Sequence, residues 1–126
     1  MPTPAALVLA VAAALLVPAP YARQGSSAAV ERALTHGGRT RTYLVHDFGG
    51  NDPAPVVIVL HGGGGTAANA VRMTGFNRVA ARDHFIAVYP DGTAGRDRGR
   101  LLTWNAGHCC AAAMKNDVDD VGFIGA

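Results

Sequence analysis

The chain has 126 residues, a net charge of +2, 49% apolar residues and two cysteines. That suffices for one small domain, and so small and scattered a charge excludes a nucleic-acid face. The basic cluster Gly95 to Arg100 (GRDRGR) contains Asp97 and no aromatic residue, so it reads as a solvated loop rather than a surface on which bases stack.

Ala5 to Val17 is an uninterrupted apolar run followed by P-A-P-Y-A and a polar Q-G-S-S. It is too short to span a bilayer comfortably and has the h-region and small-residue boundary of a secretory signal peptide. No Lys or Arg precedes the run and Pro20 disturbs the tidiest cleavage position, so the cut site stays open. The expected organisation is a signal peptide over 1–22, a flexible linker over 23–29 and a domain over 30–126. The product is expected to be secreted, extracellular or periplasmic, with no membrane association once the signal is removed.

Val30 to His36 (VERALTH) and Thr40 to His46 (TRTYLVH) are β-prone runs separated by Gly37-Gly38, which predicts an antiparallel hairpin. After the turn cluster F-G-G-N-D-P-A-P, Val56 to Leu60 (VVIVL) has the pattern of a strand buried on both faces. The apolar spacing over Phe76 to Asp83 predicts a helix. Phe85 to Tyr89 (FIAVY) predicts a second buried strand, stopped by a tight turn at Pro90-Asp91-Gly92. Strand, helix and strand in that order form a βαβ unit of a parallel sheet. The fold class is therefore α/β, an antiparallel hairpin followed by a parallel βαβ part.

Between the first buried strand and the helix lies H-G-G-G-G-T, residues 61 to 66. Parallel sheets place binding chemistry at this end of a strand. A phosphate loop would need a lysine followed by Ser or Thr, or spaced glycines with a later acidic residue, and neither is present. His-Gly-Gly-Gly after a third strand is the arrangement of an oxyanion loop. There, bare backbone lets N–H groups approach the charge that develops on a carbonyl under attack.

A nucleophile is harder to find. The two serines are Ser26 and Ser27, in the segment after the apolar run. Gly107 to Ala111 (GHCCA) has the shape of a cysteine nucleophile elbow. However, no crossover helix fits between Tyr89 and Leu101, as a parallel neighbour would require. Cys109 and Cys110 read better as oxidised cysteines of an exported protein, bonded to each other or to a partner outside the chain. No His, Cys or carboxylate set has metal-ligand spacing, so no metal and no cofactor are expected.

The ordered series T-Y-L-V-H, V-V-I-V-L-H-G-G-G-G-T, M-T-G-F-N-R-V-A-A-R-D-H-F-I-A-V-Y-P-D-G-T, W-N-A-G-H-C-C and V-D-D-V-G-F-I resembles the amino-terminal half of the polyhydroxybutyrate depolymerase and feruloyl/acetylxylan-esterase group. The resemblance covers about Tyr43 to Ile124. It implies a truncated α/β-hydrolase fold and a secreted serine carboxylic-ester hydrolase acting by acyl transfer through a Ser-His-Asp triad. In that group V-D-D-V-G-F opens a helix leading toward the nucleophile strand, and the triad order is Ser, acid, His. All three would then lie beyond Ala126, which gives His61, His84, His108, Asp91, Asp117, Asp119 and Asp120 no triad role.

Carried over by the resemblance, Gly62, Gly63 and Gly64 form the oxyanion loop, and one of their amides is a donor. His61 braces that loop. Trp104 and Asn105 match W-N-A-G and are expected to line the substrate cleft, with packing of Trp104 over the sheet edge as the alternative. Asp119 or Asp120 suits a helix N-cap. The implied partner is an ester, a hydroxyalkanoate polymer or oligomer or a plant cell-wall ester. The alternative function is a catalytically inactive truncated product or binding module, and a third is an acyltransferase on the same scaffold.

Overall fold

A computed structural model describes residues 27–50, 53–95 and 101–126. The expected signal peptide, most of the linker and the arginine-rich part of Gly95 to Arg100 lie outside the described residues. The elements in chain order are β1 (Val30–His36), β2 (Arg39–Asp47), β3 (Val56–Ile58), α1 (Ala67–Thr74), α2 (Phe76–Asp83), β4 (Ile86–Pro90), β5 (Thr93–Ala94), β6 (Leu102–Thr103), α3 (Ala111–Lys115) and α4 (Asp120–Gly125). Strands β1 to β4 form one sheet in the order β1-β2-β4-β3, and β5 pairs with β6 in a small second sheet. The fold is mixed α/β. Among the described residues no helix is long and apolar enough to cross a membrane.

The hairpin forms as expected, with Val30 opposite Val45 and His36 opposite Arg39. Its two-residue turn has Gly37 and Gly38 at φ +55° and +71°, the primed-turn conformation that matches strand twist and favours glycine. Strand β2 also pairs antiparallel with β4, whereas β3 pairs with β4 in parallel, Val57 opposite Ala87. The expected βαβ unit is therefore present, and its crossover contains two helices rather than one. Helix α1 carries both its start and its stop signal: the Thr66 hydroxyl caps the Asn69 amide, and Gly75 ends the helix at φ +59°.

Alternation along the strands sorts side chains onto two faces. On one face Val57, Val59 and Leu44 join Ala87 and Tyr89 beneath α1 and α2, where Ala67, Ala70, Ala80 and Phe85 complete the core. The Phe76 and Phe85 rings lie 5.5 Å apart in that layer. The fully buried Tyr89 sends its hydroxyl to Asn77 Oδ1 at 2.7 Å, and burial pushes its phenol above the ordinary value.

The opposite face corrects one expectation. Val56, Ile58 and Leu60 are 57%, 41% and 50% exposed, so β3 is not buried on both faces. An unbroken β-branched run signals that both faces are apolar, but burial also needs a neighbour on each side. Among the described residues that neighbour is only α4. It sits toward the β2 end, where Phe123 and Ile124 meet Leu34, Tyr43, Ile58 and Val88 around a hollow of about 180 Å³.

An ion pair and a hydrogen bond attach α4 to the hairpin. Arg41, 4% exposed, donates through Nη2 to Asp120 Oδ1 at 2.7 Å, and its guanidinium lies 4.0 Å above the Phe123 ring. Asp119 is the N-cap, as expected for one of the two aspartates, and accepts from the Gly122 amide at 2.8 Å. Its other oxygen meets His36 Nε2 at 2.8 Å. The His36 hydrogen bond first, and the Gly122 amide second, hold the Asp119 carboxyl below its ordinary value of 3.8.

A depressed carboxyl contributes stability that is present above its unfolded-state value and is lost as pH falls through the lower folded-state value. Acid titration should therefore weaken α4 docking below about pH 4. Asp119→Asn should flatten that limb of the stability curve, as measured by urea unfolding from pH 2 to 6. An unchanged limb in the variant would assign the acid response to other carboxylates.

Candidate functional site

The glycine run leaves β3 and enters α1, at the carboxyl end of the parallel pair. His61, 5% exposed, organises it. The Gly92 amide donates to His61 Nε2 at 3.0 Å, so that nitrogen holds a lone pair and the ring proton sits on Nδ1. Nδ1–H then donates to the Gly62 carbonyl at 2.7 Å. The same carbonyl accepts from the Gly65 amide at 2.9 Å. Both ring nitrogens are thus engaged by backbone, and His61 braces the loop as expected.

This bracing has a geometric result. In a trans peptide the C=O of one residue and the N–H of the next point in opposite directions. The Gly62 carbonyl is held toward His61 and Gly65, so the Gly63 N–H points away from them, on a residue exposed to solvent. The Gly64 amide is already used, donating to Leu102 O at 2.8 Å. Among the described residues the Gly62 and Gly63 amides meet no acceptor. Of the three glycines, one of whose amides is expected to be a donor, Gly64 is therefore structural, and Gly62 and Gly63 remain available.

The glycines separate the same way by what a side chain would meet. Gly64 has φ +79° and a Cβ there would lie 3.2 Å from Leu101, whereas at Gly63 a Cβ meets nothing within 4 Å. Gly64→Ala should cost about 1–2 kcal/mol, and Gly63→Ala less than about 0.5 kcal/mol, in urea unfolding followed by Trp104 fluorescence. Equal costs would mean that the loop does not hold this conformation in solution.

Asp91 ties the loop to the sheet. Its Oδ1 accepts from the Ala67 amide at 2.7 Å, at the positive end of α1, and its Oδ2 accepts from the Thr42 hydroxyl at 3.1 Å. Its own amide donates to Thr42 O at 2.9 Å. The tight turn expected at Pro90-Asp91-Gly92 therefore does more than end β4: consecutive residues hold the helix start and the His61 ring. Only the turn itself is visible in the local sequence, because its partners lie 24 to 49 residues away.

Trp104 packs against His61, ring centroids 4.9 Å apart, and its indole N–H donates to His61 O at 3.0 Å. Asn105 Nδ2 donates to Val118 O at 3.1 Å, its Oδ1 accepts from the Gly107 amide at 3.1 Å, and its backbone amide donates to Asp120 Oδ2 at 2.6 Å. Both side chains are engaged within the chain. An open cleft of about 360 Å³ does adjoin the glycine run, lined by Leu60, Met73, Ala70 and the glycines among others, and neither Trp104 nor Asn105 lines it. The packing alternative for Trp104 fits this placement. For Asn105 the geometry is that of a loop tie.

The sulfurs of Cys109 and Cys110 are bonded to each other. Cys110 is the N-cap of α3, and its amide donates to Trp104 O at 3.1 Å. The Ser27 hydroxyl faces its neighbour's carbonyl, Ala28 O, at 3.4 Å. Among the described residues no group of three or more His, Cys, Asp or Glu side chains is arranged to hold a metal ion. What this chain assembles is a braced loop with the Gly63 amide turned outward and the Gly62 amide unengaged beside a small cleft, a donor arrangement able to stabilise negative charge on an oxygen. No family model, curated protein or solved structure matches the chain.

Proposed function

We propose that this chain is the oxyanion-loop part of a secreted serine carboxylic-ester hydrolase of the α/β-hydrolase kind. It would resemble polyhydroxybutyrate depolymerases and feruloyl esterases, with the Ser-His-Asp triad supplied from outside residues 1–126. The observation that carries the reading is the Gly62 carbonyl fixed by His61 and Gly65, which aims the Gly63 N–H outward. An N–H from the loop after the third strand is one of the two donors in such enzymes, the other being the amide after the nucleophile. The parallel β3–β4 pair with the loop at its carboxyl end supports the same assignment.

In the reaction, serine attacks the ester carbonyl and the carbonyl oxygen becomes an oxyanion. The Gly63 amide, with Gly62 beside it, donates to that oxygen more strongly than to the neutral carbonyl, so the transition state is favoured over bound substrate. His61 transfers no proton, because both nitrogens are occupied by backbone partners. The open β3 face, with Val56, Ile58 and Leu60 exposed, favours the second reading, an inactive binding module.

Hydrolysis of p-nitrophenyl acetate separates them. The 126-residue chain alone should show no turnover above the buffer rate. A longer product of the same gene carrying G-x-S-x-G should turn over, and a fluorophosphonate should label that serine. Turnover by the chain alone that vanishes in Cys109→Ser or Cys110→Ser would replace the serine mechanism with a thiol one.

A further inference from the structure

We infer that the cleft beside the glycine run is an acyl site, and that Leu60 and Met73 make it select a short aliphatic acyl group over an aromatic one. The inference rests on the oxyanion reading and extends it to what lies beyond the carbonyl carbon. The cleft is at the small end of the range for ligand sites. Helix α1 turns Asn69, Ala70, Met73 and Thr74 toward it, a spacing that places them on one face. Leu60 closes the opposite side as the chain leaves β3.

Its chemistry is sharply divided. The polar side chains in the lining are already engaged: Asn69 Oδ1 accepts from Arg72, the Thr74 hydroxyl donates to Ala70 O at 2.8 Å, and both His61 nitrogens meet backbone. Among the described residues the unengaged donors there are the Gly62 and Gly63 amides and the side-chain nitrogen of Asn69. The rest of the surface is mostly hydrocarbon and thioether. Leu60 is 50% and Met73 85% exposed, large apolar side chains presented to solvent directly beside the donors. The one aromatic ring in the lining, His61, is 5% exposed and packed against Trp104, and no Asp, Glu, Lys or Arg lines the cleft.

A ligand that uses all of this has an oxygen to accept from the amides and a short alkyl chain to cover Leu60 and Met73. The flexible thioether of Met73 can follow a chain of varying shape. An aromatic acid finds no exposed ring face to stack on, because the His61 ring is 5% exposed and packed against Trp104, whose own N–H is committed to the His61 carbonyl.

The test uses the ¹⁵N-labelled, methionine-methyl-labelled 126-residue chain titrated with sodium acetate, sodium butyrate and sodium ferulate. Butyrate should shift the Gly63 amide and the Met73 methyl together and bind about tenfold more tightly than acetate, as two further buried methylenes require. Leu60→Ser and Met73→Ser should each erase most of that gain. Both positions are exposed, so both variants should retain the wild-type amide spectrum elsewhere. Ferulate binding as tightly as butyrate, or a butyrate shift at Gly63 with a silent Met73 methyl, would overturn the acyl assignment while leaving the oxyanion reading intact. If none of the three acids moves the Gly63 amide, the oxyanion reading fails and the acyl site fails with it.

Discussion

Asp120→Ala should lower the unfolding free energy by about 3–5 kcal/mol, the cost of leaving a buried charge without its partner. Arg41 and Asp120 are 4% and 5% exposed, joined at 2.7 Å, and Asp120 Oδ2 also accepts from the Asn105 amide at 2.6 Å. Removing the carboxylate strands a guanidinium against the Phe123 ring and orphans a backbone donor. A small domain has roughly 5–15 kcal/mol in total, so the variant should be substantially unfolded on mild heating. The pair Arg41→Met with Asp120→Leu should recover part of the loss, because apolar replacement of both members removes the stranded charge, while the Asn105 amide stays without its acceptor. Urea unfolding of the three proteins decides it. A loss below about 1 kcal/mol in Asp120→Ala would mean that the pair behaves as a solvated surface contact.

His61→Ala, made in an active ester hydrolase containing this chain, should reduce kcat by about 10²–10³ with little change in KM. Among the described residues the imidazole is the only side chain that fixes the Gly62 carbonyl, and that carbonyl's orientation aims the Gly63 amide. Loss of aim weakens an interaction made fully only in the transition state, which is why kcat and not KM carries the effect. The variant should also lose about 1–3 kcal/mol of stability, since the Gly92 amide is left without an acceptor. The pH dependence of kcat should keep its wild-type shape. Disappearance of a limb of that profile would identify His61 as a proton carrier and refute the bracing role.

Local chemistry made much of the fold legible. Gly37-Gly38 between two β-prone runs marked the hairpin, and the apolar spacing of Phe76 to Asp83 marked α2 at its observed limits. Helix α1 is marked in the sequence mainly by its caps, Thr66 and Gly75, because its buried positions are the small residues Ala67 and Ala70 rather than a stripe of large apolar side chains. Burial of β3 was misjudged because the residue types of a strand do not disclose whether a second layer exists. At the site the glycines were readable as a loop with exposed backbone. Which of them is free was not, since Gly64 is consumed by Leu102 and His61 is oriented by Gly92, both contacts made only once the chain has folded back. Trp104 and Asn105 had residue types suited to a cleft wall, and their actual partners lie across the fold.

The Arg41–Asp120 pair spans 79 positions of chain. During synthesis β2 therefore emerges with a cation that its site can accept only after residue 120 has left the ribosome. Closing the hairpin against the sheet earlier would bury that cation beside apolar surface with no carboxylate to meet it, and docking is thereby postponed until the start of α4 has emerged. Here the delay is built into the separation of one arginine from one aspartate.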